Sequence, residues 1–238
     1  MKRFRAALVL AAVGLLLSAC QAGPPAPQAE SAPAPASSVP QPSPEQPTPE
    51  LPSPEQPPTA APAPLAAPAL SAAEQAQLDQ ELIAAAKANN APLVAALIGR
   101  GGNVNAKDAI QDSAFLYAGA EGLNEVLRLT LAAGADVSSI NRYGGTALIP
   151  ASEHGHVETV QILIAAGVPV NHVNNLGWTA MQEAILLNNG GPRQLEVVRL
   201  LLDAGADPDI RDPEGRTALQ NADRLGFAEI AALIRSRG

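Results

Sequence analysis

Only one cysteine, Cys20, occurs in the 238 residues, so no disulfide can close within the chain. Its stability has to come from packing. Aromatic residues are just as scarce, at 3% of the sequence with a single tryptophan. A core must therefore be assembled from Ala, Leu, Ile and Val, which suits small elements stacked closely. Basic charge is in deficit too. The formal net charge of −8 divides into +3 over residues 1–19, −4 over residues 20–70 and −7 over residues 71–238. A nucleic-acid-binding surface would carry the opposite sign, and the folded part should avoid anionic headgroups as well. Long apolar runs are missing: Ala6 to Leu17 spans 12 residues, where an ordinary membrane-crossing helix needs about 20.

A period of about 33 residues runs through the second half. Thr146-Ala147, Thr179-Ala180 and Thr217-Ala218 repeat one step, with Ser113-Ala114 as a degenerate copy, at separations of 33, 33 and 38 residues. Gly101, Gly134, Gly167, Gly205 and Gly238 repeat in phase at 33, 33, 38 and 33. Self-similarity at this length signals stacked supersecondary units. In the unit from Asn141 to Val173, Asn-Arg-Tyr-Gly-Gly is turn chemistry. Thr146 is placed to cap a first helix running to about His154. After Gly155-His156 a second helix opens at Val157, with Val160, Ile162, Leu163 and Ile164 on its apolar face and Gly167 as a left-handed cap. No such unit buries its apolar face alone, so neighbours must stack.

This unit resembles the ankyrin repeat. The matching residues are Gly145-Thr146-Ala147-Leu148, Gly155-His156-Val157-Glu158, Gly134-Ala135-Asp136-Val137, Gly205-Ala206-Asp207 and Asn103-Val104-Asn105. Ala stands where the family usually has Pro after Thr, and Leu116, Ile149, Gln182 or Gln220 where it usually has His. The resemblance implies an all-α fold: a solenoid of about five helix-turn-helix units with short turn or hairpin fingers, at about 74–107, 108–140, 141–173, 174–211 and 212–238. The first and last units read as caps. The first lacks the turn and begins at its helix, around Leu78. Unit four carries five extra residues around Leu187 to Arg193, where Gly and Pro place the insertion between its two helices, on the face away from the turns.

The beginning of the chain reads as an address. Lys2, Arg3 and Arg5 precede the apolar run, which ends at Leu17-Ser18-Ala19-Cys20. This resembles the bacterial lipoprotein signal, which implies removal of residues 1–19 and lipidation of Cys20 as the new N-terminus. Gln21 in place of Asp favours the outer over the inner membrane by the enteric sorting rule. From Gly23 to Leu70, 17 of 48 residues are Pro. That composition forms neither helix nor ladder and suits a disordered, semi-rigid spacer.

No catalytic group stands out. His154 and His156 fall at the far end of a helix pair and His172 on the return to the turns, of order 13–15 Å away at 1.5 Å per residue. Metal ligands must converge within about 2.1 Å of one ion. No Ser/His/Asp set and no Gly-rich phosphate loop is present, so neither catalysis, cofactor nor metal is expected. Glu153 and Glu183 are the acids nearest the inner face, plainly read as solvated.

Binding residues stand out more clearly. Four residues after each Thr or Ser113, on the inner face of the first helices, the sequence reads Tyr117, Pro150, Glu183 and Asn221. A Pro inside a helix and a Glu in a row usually aliphatic in ankyrin repeats break local rules together, as functional sites do. Arg142 and Tyr143 of unit three and Asn175 and Trp178 of unit four read as turn-tip residues, and Trp, Tyr and Arg dominate binding energy. Tyr117, Arg142, Tyr143, Pro150, Glu153, Asn175, Trp178 and Glu183 are therefore the candidate contacts. The expectation is a non-enzymatic, monomeric protein-binding module, lipid-anchored in the bacterial envelope and facing the periplasm. Its partner would be a periplasmic or envelope protein. The resemblance leaves room for an immunity or inhibitor protein against a toxin or lipase, or a catalase-supporting factor in oxidative stress. A different class is a small-ligand or hydrolytic groove around Tyr117, Pro150 and Glu183.

Overall fold

Each Thr- or Ser-led step of the repeat opens a helix. The computed structural model describes residues 70–237; Cys20, the signal segment, most of the Pro-rich stretch and Gly238 lie outside the described residues. Among the described residues there are ten helices and no strand. They form five pairs: α1 (Ala72–Lys87) with α2 (Ala91–Gly99), α3 (Ala114–Ala120) with α4 (Asn124–Ala132), α5 (Leu148–Glu153) with α6 (Val157–Ala165), α7 (Ala180–Leu186) with α8 (Pro192–Asp203), and α9 (Ala218–Leu225) with α10 (Ala228–Arg235). The first helices α1, α3, α5, α7 and α9 pack in series, and so do the second helices α2, α4, α6, α8 and α10. The described residues form a two-layer stack. Helix α1 begins earlier than its apolar residues suggest, because Ser71 and Glu74 close a capping box ahead of them.

Alanine sets the spacing of the first layer. The residue after each Thr or Ser113 (Ala114, Ala147, Ala180, Ala218) and the residue four further on (Ala118, Ala151, Ala184, Ala222) are all buried. These side chains let successive first helices approach closely. Phe115, Leu148 and Met181 fill the space between the layers, with Leu127, Leu163, Leu201 and Ile230 from the second helices. Each second helix of the first four units ends on a glycine at φ between +83° and +94° (Gly101, Gly134, Gly167, Gly205), the left-handed cap that the phase implied.

Helix starts follow the sequence with one exception. The side-chain oxygens of Ser113, Thr179 and Thr217 accept the backbone N–H three residues on, at 3.1–3.3 Å. Gln182 and Gln220 return the bond to the caps. Thr146 does not cap α5, contrary to expectation: its Oγ1 is buried without a partner, and the helix starts at Leu148. The cause is Pro150, which has no N–H for the Thr146 carbonyl. The Ile149 N–H takes that carbonyl instead, at 3.2 Å, and is lost to the hydroxyl. The extra residues of unit four also divide differently from expectation. Two lengthen the loop at 187–191, and three extend α8, which has 12 residues where α6 has nine. Pro192 at the first helical position makes that extension favourable.

Gly119, in the buried face of α3, marks a close approach of successive first helices: a Cβ there would lie 2.7 Å from the Cβ of Ala147 in the next unit. Gly→Ala inside a helix normally stabilises by about 1 kcal/mol. Gly119→Ala is expected to destabilise instead, by about 1–3 kcal/mol through overpacking. Gly99→Ala, at the end of α2 with open space around it, should be neutral or stabilising. Urea denaturation of the two variants reads the difference in sign.

Candidate functional site

One Asx residue builds each turn between units. Asp108, Asn141 and Asn174 each accept, through Oδ1, the N–H groups two and four residues on, and Asp212 accepts that of Arg216. Each turn is closed by a backbone bond over the same span: Asp108 N–H to Asp112, Asn141 to Gly145, Asn174 to Trp178 and Asp212 to Arg216. The finger is thus a single hydrogen-bonded loop whose tip is the residue two after the Asx.

The Asx residue also speaks to the unusual row on the first helices, nine positions later. Asn174 Nδ2 donates to Glu183 Oε1 at 2.7 Å, and Asn221 Nδ2 donates to Asp212 Oδ2 at 2.8 Å. Units four and five make the same link with acid and amide exchanged. Pro150 occupies the position in unit three, and Tyr117 in unit two.

Between the fingers and the first helices of units two to four lies a cleft of about 380 Å³. Tyr117, Arg142, Tyr143, Pro150, Glu153 and Glu183 line it, together with Asn174 and the apolar side chains of Leu116, Ile149, Leu176 and Leu187. Six of the eight residues singled out from sequence therefore converge. Asn175 and Trp178 do not line it. The Asn175 side chain lies against Gly144, where a Cβ would come within 2.4 Å of its Oδ1. Trp178 stands at the stem of its turn rather than at the tip, because its own peptide closes the loop with Asn174. It is half-buried, with Nε1 unpartnered. Asn174 and Leu176 were missed from sequence; their signal was the frame itself, nine residues before the row and at the finger tip.

Charge around the cleft is uneven. Arg142 pairs with Asp112 at 3.3 Å and its guanidinium lies 4.7 Å from the Tyr143 ring centre. Lys87 bridges Asp108 and Asp112 at 2.6 and 3.2 Å and approaches the Tyr117 ring. Glu121, Glu153 and Glu183 enter no ion pair among the described residues. Glu183 is not the solvated acid expected: it is only 5% exposed. Burial, then repulsion from Glu153, raises its pKa from 4.5 to about 7, against the pull of the Asn174 hydrogen bond and His154.

The histidines serve the stack. His154 Nδ1 donates to the Ala120 carbonyl at 2.9 Å, and His172 Nε2 to that of Gly144 at 2.6 Å. The His156 ring covers Gly122 of the preceding unit, and burial, then His154, lowers its pKa.

A carboxyl that holds its proton more tightly when folded stabilises the fold fully below about pH 4.5 and loses that contribution as the pH rises through about 7. Glu183→Gln keeps the shape without the charge. The variant should gain stability relative to the parent between pH 5 and pH 8, on the order of 2–3 kcal/mol, in urea titrations at the two pH values. A constant difference between the proteins would contradict the raised carboxyl.

The geometry agrees with the comparisons to known proteins. The family model for ankyrin repeats (3 copies) matches residues 82–174 and, overlapping, 115–212. The ankyrin repeat protein YahD of Escherichia coli (strain K12) is 48% identical over 56 residues, 24% of this chain, and the match spans only 28% of that protein. A solved ankyrin repeat domain from Acinetobacter baumannii AYE is 58% identical, with a TM-score of 0.65 over 66% of this chain and 80% of its own. A second solved ankyrin repeat protein is 40% identical, with a TM-score of 0.63 over 65% of this chain and 78% of its own. With stacked helix pairs, Asx-built fingers and a family match over more than half its length, this chain belongs to the ankyrin-repeat family.

Proposed function

We propose that the chain is a non-enzymatic interaction module, tethered to the bacterial envelope through lipidated Cys20, whose finger row and cleft in units two to four grip a periplasmic or envelope protein. Ankyrin repeats are in general protein–protein interaction modules, and the observation that carries the choice of surface is an apolar ridge. The finger-tip residues Ile110, Tyr143 and Leu176 recur in frame and are each about half exposed, at 50%, 53% and 51%. Ile140 and Val173, just before the Asx residues, add to the exposed apolar surface. Exposed apolar side chains gathered in this way mark contact surfaces, and Tyr143 and Leu176 belong to ridge and cleft alike.

A tether by residues 20–70 would keep the module near membrane-proximal partners at high effective concentration, and the outer membrane is the favoured address. A second reading, a small-ligand cleft around Tyr117, Pro150 and Glu183, is supported by the buried, near-neutral Glu183 carboxyl and by a volume in the range of ligand sites. The ridge outside the cleft weighs against it.

Two outcomes are expected. Cys20→Ala should move the protein from the membrane to the soluble fraction on fractionation of cells that make it; unchanged membrane association would remove the lipid tether. Tyr143→Ala combined with Leu176→Ser should weaken capture of envelope partners by about tenfold or more, with folding checked by circular dichroism. Undiminished capture would move the contact surface elsewhere.

A further inference from the structure

We propose that the cleft of units two to four receives a basic side chain, a lysine or arginine carried among apolar residues of an extended partner segment, with Glu183 as its principal carboxylate and Glu153 as the second. The inference rests on the protein-binding reading above and gives that partner its chemistry.

The repeat supplies its own comparison. In unit two the acid of the turn, Asp108, has Lys87 at 2.6 Å. In unit five Asp212 sits beside Arg216 at 3.4 Å and takes the Asn221 amide. Unit four holds the matching acid–amide link, Asn174 to Glu183, yet among the described residues no cation pairs with it. Glu183 is only 5% exposed, and among the described residues its second oxygen has no hydrogen-bond partner. The cations at the cleft are already engaged. Arg142 lies on Asp112 and Tyr143, Lys87 on Asp108 and Asp112, and the His154 ring donates to Ala120. Three carboxylates facing the cleft, Glu121, Glu153 and Glu183, are left without a counter-ion among the described residues.

The two acids are held in place for this. Asn188, in the loop before α8, donates Nδ2 to the Glu153 carbonyl at 2.7 Å and more weakly to that of Glu183 at 3.4 Å, and its Oδ1 accepts from Gln194. The lengthened unit four thereby fixes the backbone of both. The walls suit the stem of a long basic side chain: Tyr117, Ile149, Pro150 and Leu187 are apolar or aromatic surface, along which a lysine or arginine stem packs while its head reaches the acids. Among the described residues no third ligand joins these carboxylates in a metal-holding group, so an organic cation fits better than a metal ion.

Entry of a cation also moves a proton. The groups acting on Glu183 are Glu153 and His154 from the end of α5, with neutral Asn174 from the turn and Asn188 from the loop before α8. On the α9 side Asp212 and Arg216 are engaged with each other and with Asn221. With its carboxyl near pH 7, Glu183 is largely protonated at pH 5.5, and binding of a cation drives the proton off.

The test is selection of a phage-displayed library of random 12-residue peptides on the immobilised full-length protein. Enriched peptides are then synthesised with and without norleucine in place of the shared basic residue. The expected result is a Lys or Arg at one fixed position among apolar neighbours. Its replacement by norleucine should weaken binding by about tenfold on the parent and by less than about twofold on Glu183→Gln, with Glu153→Gln between. Affinity for the basic peptide should rise by about tenfold from pH 5.5 to pH 8 on the parent only. Enriched peptides sharing no basic residue, or an equal norleucine effect on parent and Glu183→Gln, would overturn the inference and leave the cleft as a peptide site. No enrichment at all would overturn the protein-binding reading with it.

Discussion

No helix pair of this chain can bury its apolar face by itself, and everything else in the structure depends on that constraint. Helices of six to nine residues make up most of the stack, too short to be stable alone in water. They persist because α3 packs between α1 and α5, α5 between α3 and α7, and the second helices do the same behind them. A scarcity of aromatic residues is then no handicap. Alanine at two in-frame positions of units two to five keeps the first helices close, and Leu, Ile and Val fill the space behind.

Close stacking turns a local motif into a surface. Because each turn is built by one Asx residue over the same span, the finger tips line up, and whatever occupies the tip is displayed in a row. Ile110, Tyr143 and Leu176 occupy it in units two to four; Glu214 takes the place in unit five, where the apolar ridge ends. The same frame brings the row of first-helix residues within reach of the turns. Asn174 with Glu183 and Asp212 with Asn221 tie finger to helix, whereas Pro150 removes both the link and the cap from unit three. The cleft therefore sits where the repeat is least regular. Both buried hydroxyls without partners among the described residues, those of Thr146 and Ser152, belong to the same unit.

Much of this was legible beforehand, for reasons that can be named. Helix pairs and glycine caps follow from periodicity, since a period places identical local chemistry at identical places in the stack. Of the six candidates that line the cleft, Tyr117, Pro150 and Glu183 came from aligning the units and asking which broke the pattern, and Arg142, Tyr143 and Glu153 from residue type and place in the unit. Trp178 was misplaced because a turn has a tip and a stem, and only the hydrogen bonds say which residue is at which; Asn175 stands beside the tip, but its side chain lies on Gly144 and not in the cleft. Thr146 was misjudged because its cap is lost to a competing bond: the Ile149 N–H, three residues on, takes the carbonyl that Pro150, four residues on, cannot serve.

The sequence by itself determined the repeat, its helices, its charge and the surface on which irregular residues would meet, because each is a property of spacing along the chain. Only the tertiary structure decided that Glu183 is buried, that Arg142 and Lys87 are already paired, and that Glu121, Glu153 and Glu183 have no counter-ion among the described residues. Those are facts about neighbours from different units. Whether a charge is free depends on what stands within about 4 Å of it, and spacing along one strand of sequence does not contain that.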